Sequence, residues 1–155
     1  MNLFQECSLP QGGRAILLSV KPKYANLIAS GQKRVEFRRT WATEEVGVIA
    51  IYASSPIQRI IALVGIDSVV YASPKKLWSH CVSKGGALTY TEFTDYFDGK
   101  TDGYALLLGE VQVLKNPVDP SQSFTDFSPP QSFRYLTRDE FKSLGKRVTV
   151  EVDRA

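Results

Sequence analysis

The sequence contains few of the residues that build metal sites and disulfide scaffolds. Its 155 residues include two cysteines, Cys7 and Cys81, and one histidine, His80. A zinc site usually needs three or four nitrogen and sulfur ligands, and the cysteine spacing matches no metal motif. We therefore expect no metal and no cofactor. Both cysteines are expected to be free thiols in a reducing compartment.

Long hydrophobic runs are also lacking. No stretch approaches the ~20 apolar residues that a transmembrane helix needs. Residues 1–13 have neither the basic start nor the apolar centre of a secretory signal, and Pro10, Gly12 and Gly13 indicate an irregular lead-in. The sequence therefore predicts a cytoplasmic protein without a membrane partner. Its length is typical of one domain, which we place at residues 14–155.

The segment from Ser19 to Arg39 has the clearest pattern for recognition or chemistry. Pro22 suits the first turn of a helix, and Gly31 suits the position just after its end. In the strand that follows, Val35 and Phe37 point to one face, whereas the charged residues between them point to the other. We therefore expect a helix, a glycine stop and a strand with one apolar and one ionic face.

Positive charge is concentrated in this segment. Six basic residues stand against Glu36, which gives the segment a balance of +5, whereas the whole chain carries +3. An anionic partner, most often nucleic acid, is one explanation of such a surface. A solvated strand face is the other. The six are Lys21, Lys23, Lys33, Arg34, Arg38 and Arg39.

The rest of the chain predicts further short strands with helices between them. Strands are expected at residues 15–20, 46–53, 59–71, 103–114 and 147–152, with residues 46–53 and 59–71 forming an antiparallel hairpin. Helices are expected near residues 73–82 and 91–97 and, from the capping box of Thr137 and Glu140, at 137–144. Residues 115–131 are rich in proline and serine and are expected to form a long loop. This order predicts an α+β domain on a small antiparallel or mixed barrel.

Several motifs in sequence order resemble the ASCH domain, a branch of the PUA-like superfamily that is related to EVE and YTH domains. They include the segments 18–24 and 31–38, with Gly31, Lys33, Glu36 and Arg38 in a GxKxxExR pattern, and the segments 51–56, 103–111 and 129–136. The resemblance covers residues 16–136. It implies a PUA-like small β-barrel of five to six mostly antiparallel strands, with three to four short helices and a cleft beside the barrel.

The resemblance also implies RNA as a partner, either single-stranded RNA or a modified nucleotide, and a possible role in regulating transcription or translation. Some small ASCH proteins instead hydrolyse acetylcytidine or cleave RNA. The amidohydrolase branch uses a lysine, a threonine and a glutamate. Lys33 matches the lysine, but Glu36 stands at the threonine position, and the loop after His80 carries no carboxylate. If the chain is an enzyme, Lys33 and Glu36 are the candidate catalytic pair, with Glu36 replacing the acid.

The candidate nucleic-acid-binding set combines charge, hydrogen bonding and stacking. Lysine and arginine can neutralise phosphates, a carboxylate can accept a hydrogen bond from a base amine, and aromatic rings can stack on bases. Two alternatives stay open, a structural ion pair of Glu36 with Arg34 or Arg38, and a cleft that binds a protein partner. The set is Lys21, Lys33, Glu36, Arg38, Arg39, Trp41, Tyr52 and Ser54.

Overall fold

A computed structural model describes residues 13–148. Its strands are β1 Arg14–Val20, β2 Val35–Arg38, β3 Val46–Ala53, β4 Arg59–Ala72, β5 Gly103–Val118 and β6 Phe133–Tyr135. Its helices are α1 Pro22–Ala29, α2 Pro74–Lys84, α3 Tyr90–Tyr96, α4 Pro120–Ser123 and α5 Arg138–Gly145. Two expected features extend beyond the described residues, namely residues 1–12 of the lead-in expected at 1–13 and the part of the expected last strand after Val148.

The six strands form one mixed sheet in the order β2-β5-β4-β3-β1-β6, and this sheet curls into a half-barrel. β1 and β3 pair in parallel, and the other neighbours are antiparallel. The predicted α+β class is confirmed, and so is the hairpin of β3 and β4. α1 packs on one face of this sheet and α5 on the other.

β1 reads as a continuous apolar run because both of its faces are covered. Ala15 and Leu17 belong to one buried cluster together with Phe141 and Leu144 of α5. Ile16 and its alternate neighbours belong to a second cluster, with residues of α1. A strand that is buried on both faces has no polar face to show in the sequence.

β2 packs its apolar face under α2 and α3, as predicted. Val35 and Phe37 are buried with Leu77 of α2 and with Phe93 of α3. The Phe37 and Phe93 rings meet edge to face at 5.1 Å, a favoured geometry for aromatic pairs. This third cluster fixes the orientation of β2, so the opposite face of the strand, which carries Glu36, is directed away from these apolar side chains.

The structure differs from the sequence-based prediction in two regions, residues 115–131 and residues 133–135. Residues 115–131 are not one long loop, because β5 continues to Val118 and Asp119 caps the short helix α4, its side chain accepting a hydrogen bond from the Ser121 amide. α4 is thus one helix more than the sequence predicts. β6 is a strand that the sequence does not reveal, since three residues are too few to show an alternating pattern. Val148 forms a single bridge to Leu114.

Candidate functional site

A cavity of about 860 Å³ lies where β1 and β3 end, between α1, β2 and α3. Because β1 and β3 are parallel and in register from Ala15 to Val20, their carboxyl ends lie side by side. The chain segments that leave these two ends, Lys21 and Ser54, therefore both reach the cavity. The third side is formed by the segment 129–131, which crosses the end of β1.

The segment 129–131 is held in place by Ser19 of β1. The Ser19 hydroxyl donates a hydrogen bond to the Pro130 carbonyl at 2.7 Å, and its amide donates to the Ser132 carbonyl at 2.9 Å. Phe133 then packs against Trp41, with ring centroids 5.6 Å apart. This wall of the cavity is thus tied to the sheet by hydrogen bonds and by an aromatic contact.

Lys33, Glu36 and Arg38 form an ionic cluster on the cavity side of β2. Arg38 Nη1 donates to Glu36 Oε2 at 3.0 Å, and Lys33 Nζ lies 4.0 Å from Glu36 Oε1, which is longer than a hydrogen bond. Arg38 Nη2 also donates to Ser132 Oγ at 2.9 Å. Glu36 is only 7% exposed, so the ionic face of β2 turns into the molecule and not toward bulk solvent.

The Lys33 side chain is buried, with 2% of its surface exposed, and its ammonium group has few partners. Nζ donates a hydrogen bond to the Gly86 carbonyl, and the rings of Tyr24 and Phe37 lie 5.4 and 5.7 Å from it. Burial lowers the pKa of Lys33 from its ordinary value, and the nearby Glu36 carboxylate opposes this only in part. The neutral form of the amine is therefore more favoured at Lys33 than at an exposed lysine.

Glu92 of α3 connects this helix to α1 at the cavity. Its Oε1 accepts a hydrogen bond from the Thr89 amide in a capping box, which starts α3. Its Oε2 accepts from Tyr24 at 3.2 Å and lies 3.4 Å from Lys23 Nζ. Burial and the hydrogen bond to Glu92 raise the pKa of Tyr24. The Tyr24 ring is thereby held beside Lys33.

Six of the eight predicted binding residues line the cavity, and two lie elsewhere. Arg39 donates to the carbonyls of Tyr96 and Asp98 at 2.7 and 3.0 Å, and Trp41 packs on Phe133. The roles of all eight residues stay predictions. The six are Lys21, Lys33, Glu36, Arg38, Tyr52 and Ser54.

The ion pair between Glu36 and Arg38, one of the structural alternatives, is present within the cavity, whereas Arg34 donates to the Leu108 carbonyl instead. The charged lining is balanced. Lys21, Lys33 and Arg38 face Glu36, Glu92 and Asp95, so three basic groups meet three carboxylates.

The helical spacing of Phe93, Tyr96 and Phe97 predicts α3 but does not show that this helix contributes to the cavity. Glu92, Asp95 and Tyr96 all line the cavity. The capping-box spacing of Thr89 and Glu92 is the sequence signal that places a carboxylate at the first turn of this helix. α3 thus brings to the cavity the carboxylates that the loop after His80 lacks.

Within residues 13–148 no group of three or more His, Cys, Asp or Glu side chains is placed to hold a metal ion. None of the helices described has both the length and the apolar character to span a bilayer. Cys81 is a buried free thiol, and Cys7 lies outside the described residues.

Comparison with known proteins gives matches over most of the chain. The ASCH domain model matches residues 18–116. The ASCH domain-containing ribonuclease of Zymomonas mobilis is 31% identical over 132 residues, which cover 83% of this chain and 88% of that protein. The crystal structure of ASCH from Zymomonas mobilis superposes with a TM-score of 0.80 at 28% identity, covering 88% of this chain and 96% of that one.

A more distant match shows the fold alone. The N-terminal domain of McrB from Staphylothermus marinus has a TM-score of 0.57 at 14% identity, over 95% of this chain and 98% of that chain. The family model, by contrast, covers more than half of the sequence, and the motifs at Gly31, Lys33, Glu36 and Arg38 fall within it. This chain belongs to the ASCH domain family.

Proposed function

We propose that this chain binds RNA and holds one nucleotide in the cavity beside β2. The observation that carries the proposal is the cavity itself, whose volume of about 860 Å³ lies in the range of small-ligand sites and which gathers six of the eight predicted binding residues. The Zymomonas mobilis relative is named a ribonuclease, which supports RNA as the partner.

The balanced charges favour a base, and not a phosphate, in the interior. Glu36, Glu92 and Asp95 would repel a phosphate, but a carboxylate accepts hydrogen bonds from the amino groups of a base. Arg38 is already oriented by Glu36 and Ser132, and the Tyr24 and Tyr96 rings offer apolar walls. Lys21 is exposed at the edge of the cavity, where it is placed to meet a phosphate of the strand.

Hydrolysis is the second candidate function, and Lys33 is the observation that favours it. A neutral amine can take a proton from the 2′-hydroxyl that attacks an RNA phosphate, or from a water that attacks the acetyl group of acetylcytidine. Burial lowers the pKa of Lys33, and the carboxylates of Glu36 and Glu92 line the same cavity. The name of the Zymomonas mobilis relative favours the first of these reactions.

Binding is tested with single-stranded RNA over a range of salt concentrations. Wild-type affinity is expected to fall as salt rises, and Lys21→Met is expected to reduce the slope of log K against log salt by about 0.7, the value for one phosphate contact on a single strand. Lys75→Met is the matched control, because Lys75 is exposed on α2 and is not part of the cavity lining. Equal slopes for the two variants would contradict a phosphate contact at Lys21.

Turnover is tested in parallel by incubating RNA and acetylcytidine with wild type and with Lys33→Met, and by separating the products chromatographically. Product from the wild type that disappears in the variant establishes hydrolysis. Binding without product leaves RNA binding as the function. If the wild type shows no binding and forms no product, the proposal is overturned, and a protein partner for the cavity is favoured instead.

A further inference from the structure

Lys33 lacks the partners that a buried ammonium ion requires. A protonated lysine has three N–H donors, but Lys33 Nζ has one hydrogen bond among the described residues, to the Gly86 carbonyl. The Glu36 carboxylate, 4.0 Å away, is beyond hydrogen-bond length. A neutral amine needs fewer acceptors and keeps a lone pair. Lys33 lines the cavity, so a molecule that enters can approach this side chain.

The charged groups near Lys33 do not form a full ion pair with it. Glu36 is already paired with Arg38 at 3.0 Å, so part of its charge is neutralised before it acts on Lys33. Cys81 of α2 and Glu92 of α3 are the other titratable groups that favour the charged amine, and Glu92 is engaged by Lys23 and by the hydroxyl of Tyr24. The faces of Tyr24 and Phe37 also favour a cation. Burial nevertheless lowers the pKa of Lys33.

We propose that Lys33 forms an imine with an aldehyde that enters the cavity. A lysine that is desolvated in a largely apolar pocket is the usual nucleophile for carbonyl compounds. The class of ligand is an aldehyde, such as the open-chain sugar of a nucleotide that has lost its base. This activity goes beyond RNA binding and does not depend on it.

The step balances without an oxidant or a metal. Lys33 Nζ attacks the carbonyl carbon, and the carbonyl oxygen becomes the hydroxyl of a carbinolamine. Glu36 Oε1, 4.0 Å from Nζ, passes the two protons of the amine through one bridging water, the first to the carbonyl oxygen to form that hydroxyl and the second to the hydroxyl itself, which leaves as water. The net change is one amine and one aldehyde giving one imine and one water.

The cavity has room and chemistry for such a ligand. Its volume of about 860 Å³ exceeds the space that a single sugar needs, and the hydroxyl groups of Ser54 and Ser55 line it together with the Gln58 amide. These neutral groups suit the hydroxyls of a sugar. Lys21, which is exposed at the edge of the same space, can meet an attached phosphate.

The test traps the imine with sodium cyanoborohydride, which reduces it to a stable secondary amine. Two probes are used separately at neutral pH, a single-stranded oligonucleotide with one abasic site, and propanal as a free aldehyde. Peptide mapping by mass spectrometry then locates the label on wild type, on Lys33→Met and on Lys75→Met. Wild type alone already reports the labelled site, so the test does not depend on the folding of a variant.

We expect residue 33 to carry more label than any other lysine, although Lys75 and Lys84 are far more exposed. The label at this position is expected to disappear in Lys33→Met and to be unchanged in Lys75→Met. Labelling of Lys33 by the oligonucleotide would identify an abasic strand as the source of the aldehyde, and labelling by propanal alone a free aldehyde. Label spread over the exposed lysines, without an excess at Lys33, would overturn the proposal, whereas the salt-dependent RNA assay decides RNA binding independently.

Discussion

Replacement of Arg38 tests whether the ionic cluster on β2 also stabilises the fold. In wild type the Arg38 guanidinium lies 3.0 Å from Glu36, and the two side chains are 13% and 10% exposed. Arg38→Met keeps most of the aliphatic stem but leaves the carboxylate buried without its main partner. Removing one member of a buried pair costs about 3 to 5 kcal/mol.

The lower end of this range applies here. Both side chains keep some exposure, so water can partly solvate the charge that remains on Glu36. We therefore expect a loss of about 3 kcal/mol in the free energy of unfolding, which lowers Tm by about 6 to 12 °C for a domain of this size. Thermal unfolding followed by circular dichroism measures the shift, and urea unfolding measures the free energy.

Two further variants test whether the unpaired charge of Glu36 causes this loss of stability. Arg59→Met removes a surface pair, because Arg59 is 43% exposed and 3.6 Å from Asp119, and it should cost less than about 1 kcal/mol. Adding Glu36→Gln to Arg38→Met removes the unpaired charge and should recover part of the loss. The explanation fails if Arg38→Met costs no more than Arg59→Met, or if the double variant is less stable than Arg38→Met. In either case an unpaired charge on Glu36 is not what destabilises the Arg38→Met variant.

Two other perturbations have defined outcomes. Because the pKa of Lys33 is lowered from its ordinary 10.5, the folded protein binds fewer protons than the unfolded chain between the lowered pKa and 10.5. The stability of wild type relative to Lys33→Met should therefore rise with pH across that window in urea unfolding, and a flat difference would contradict the lowered pKa. Phe93→Ala should cost about 3 to 5 kcal/mol in the same assay, because Phe93 is 1% exposed, and should exceed the cost of Tyr90→Ala, since Tyr90 is 62% exposed.

The longer strands and all the helices except α4 were predictable because local signals mark them. Pro22 and Gly31 bound α1, and the box of Thr137 and Glu140 begins α5, as expected. The strand β6 and the parallel pairing of β1 with β3 were not predictable in this way. Pairing between strands depends on contacts across the chain, and a three-residue strand carries no period of its own.

The candidate site was predictable on β2 and less so around it. The alternation of Val35, Glu36, Phe37 and Arg38 correctly separates the apolar face from the ionic one. It cannot tell that the ionic face turns inward, because this follows from the position of α3 and of the segment 129–131. Nor does it indicate that Arg39, at the end of the same basic run, would bind carbonyl groups of Tyr96 and Asp98 and not line the cavity.

The carbonyl that holds Lys33 belongs to a residue that must be glycine. A Cβ at Gly86 would lie 2.4 Å from Cys81 Sγ and 2.8 Å from its Cα, so any side chain would push the loop away from α2. Such a shift would move the Gly86 carbonyl, which accepts the hydrogen bond of Lys33 Nζ. A substitution at position 86 therefore affects the chemistry of Lys33 indirectly. It leaves every charged residue of the cavity in the sequence and alters how firmly the Lys33 amine is anchored.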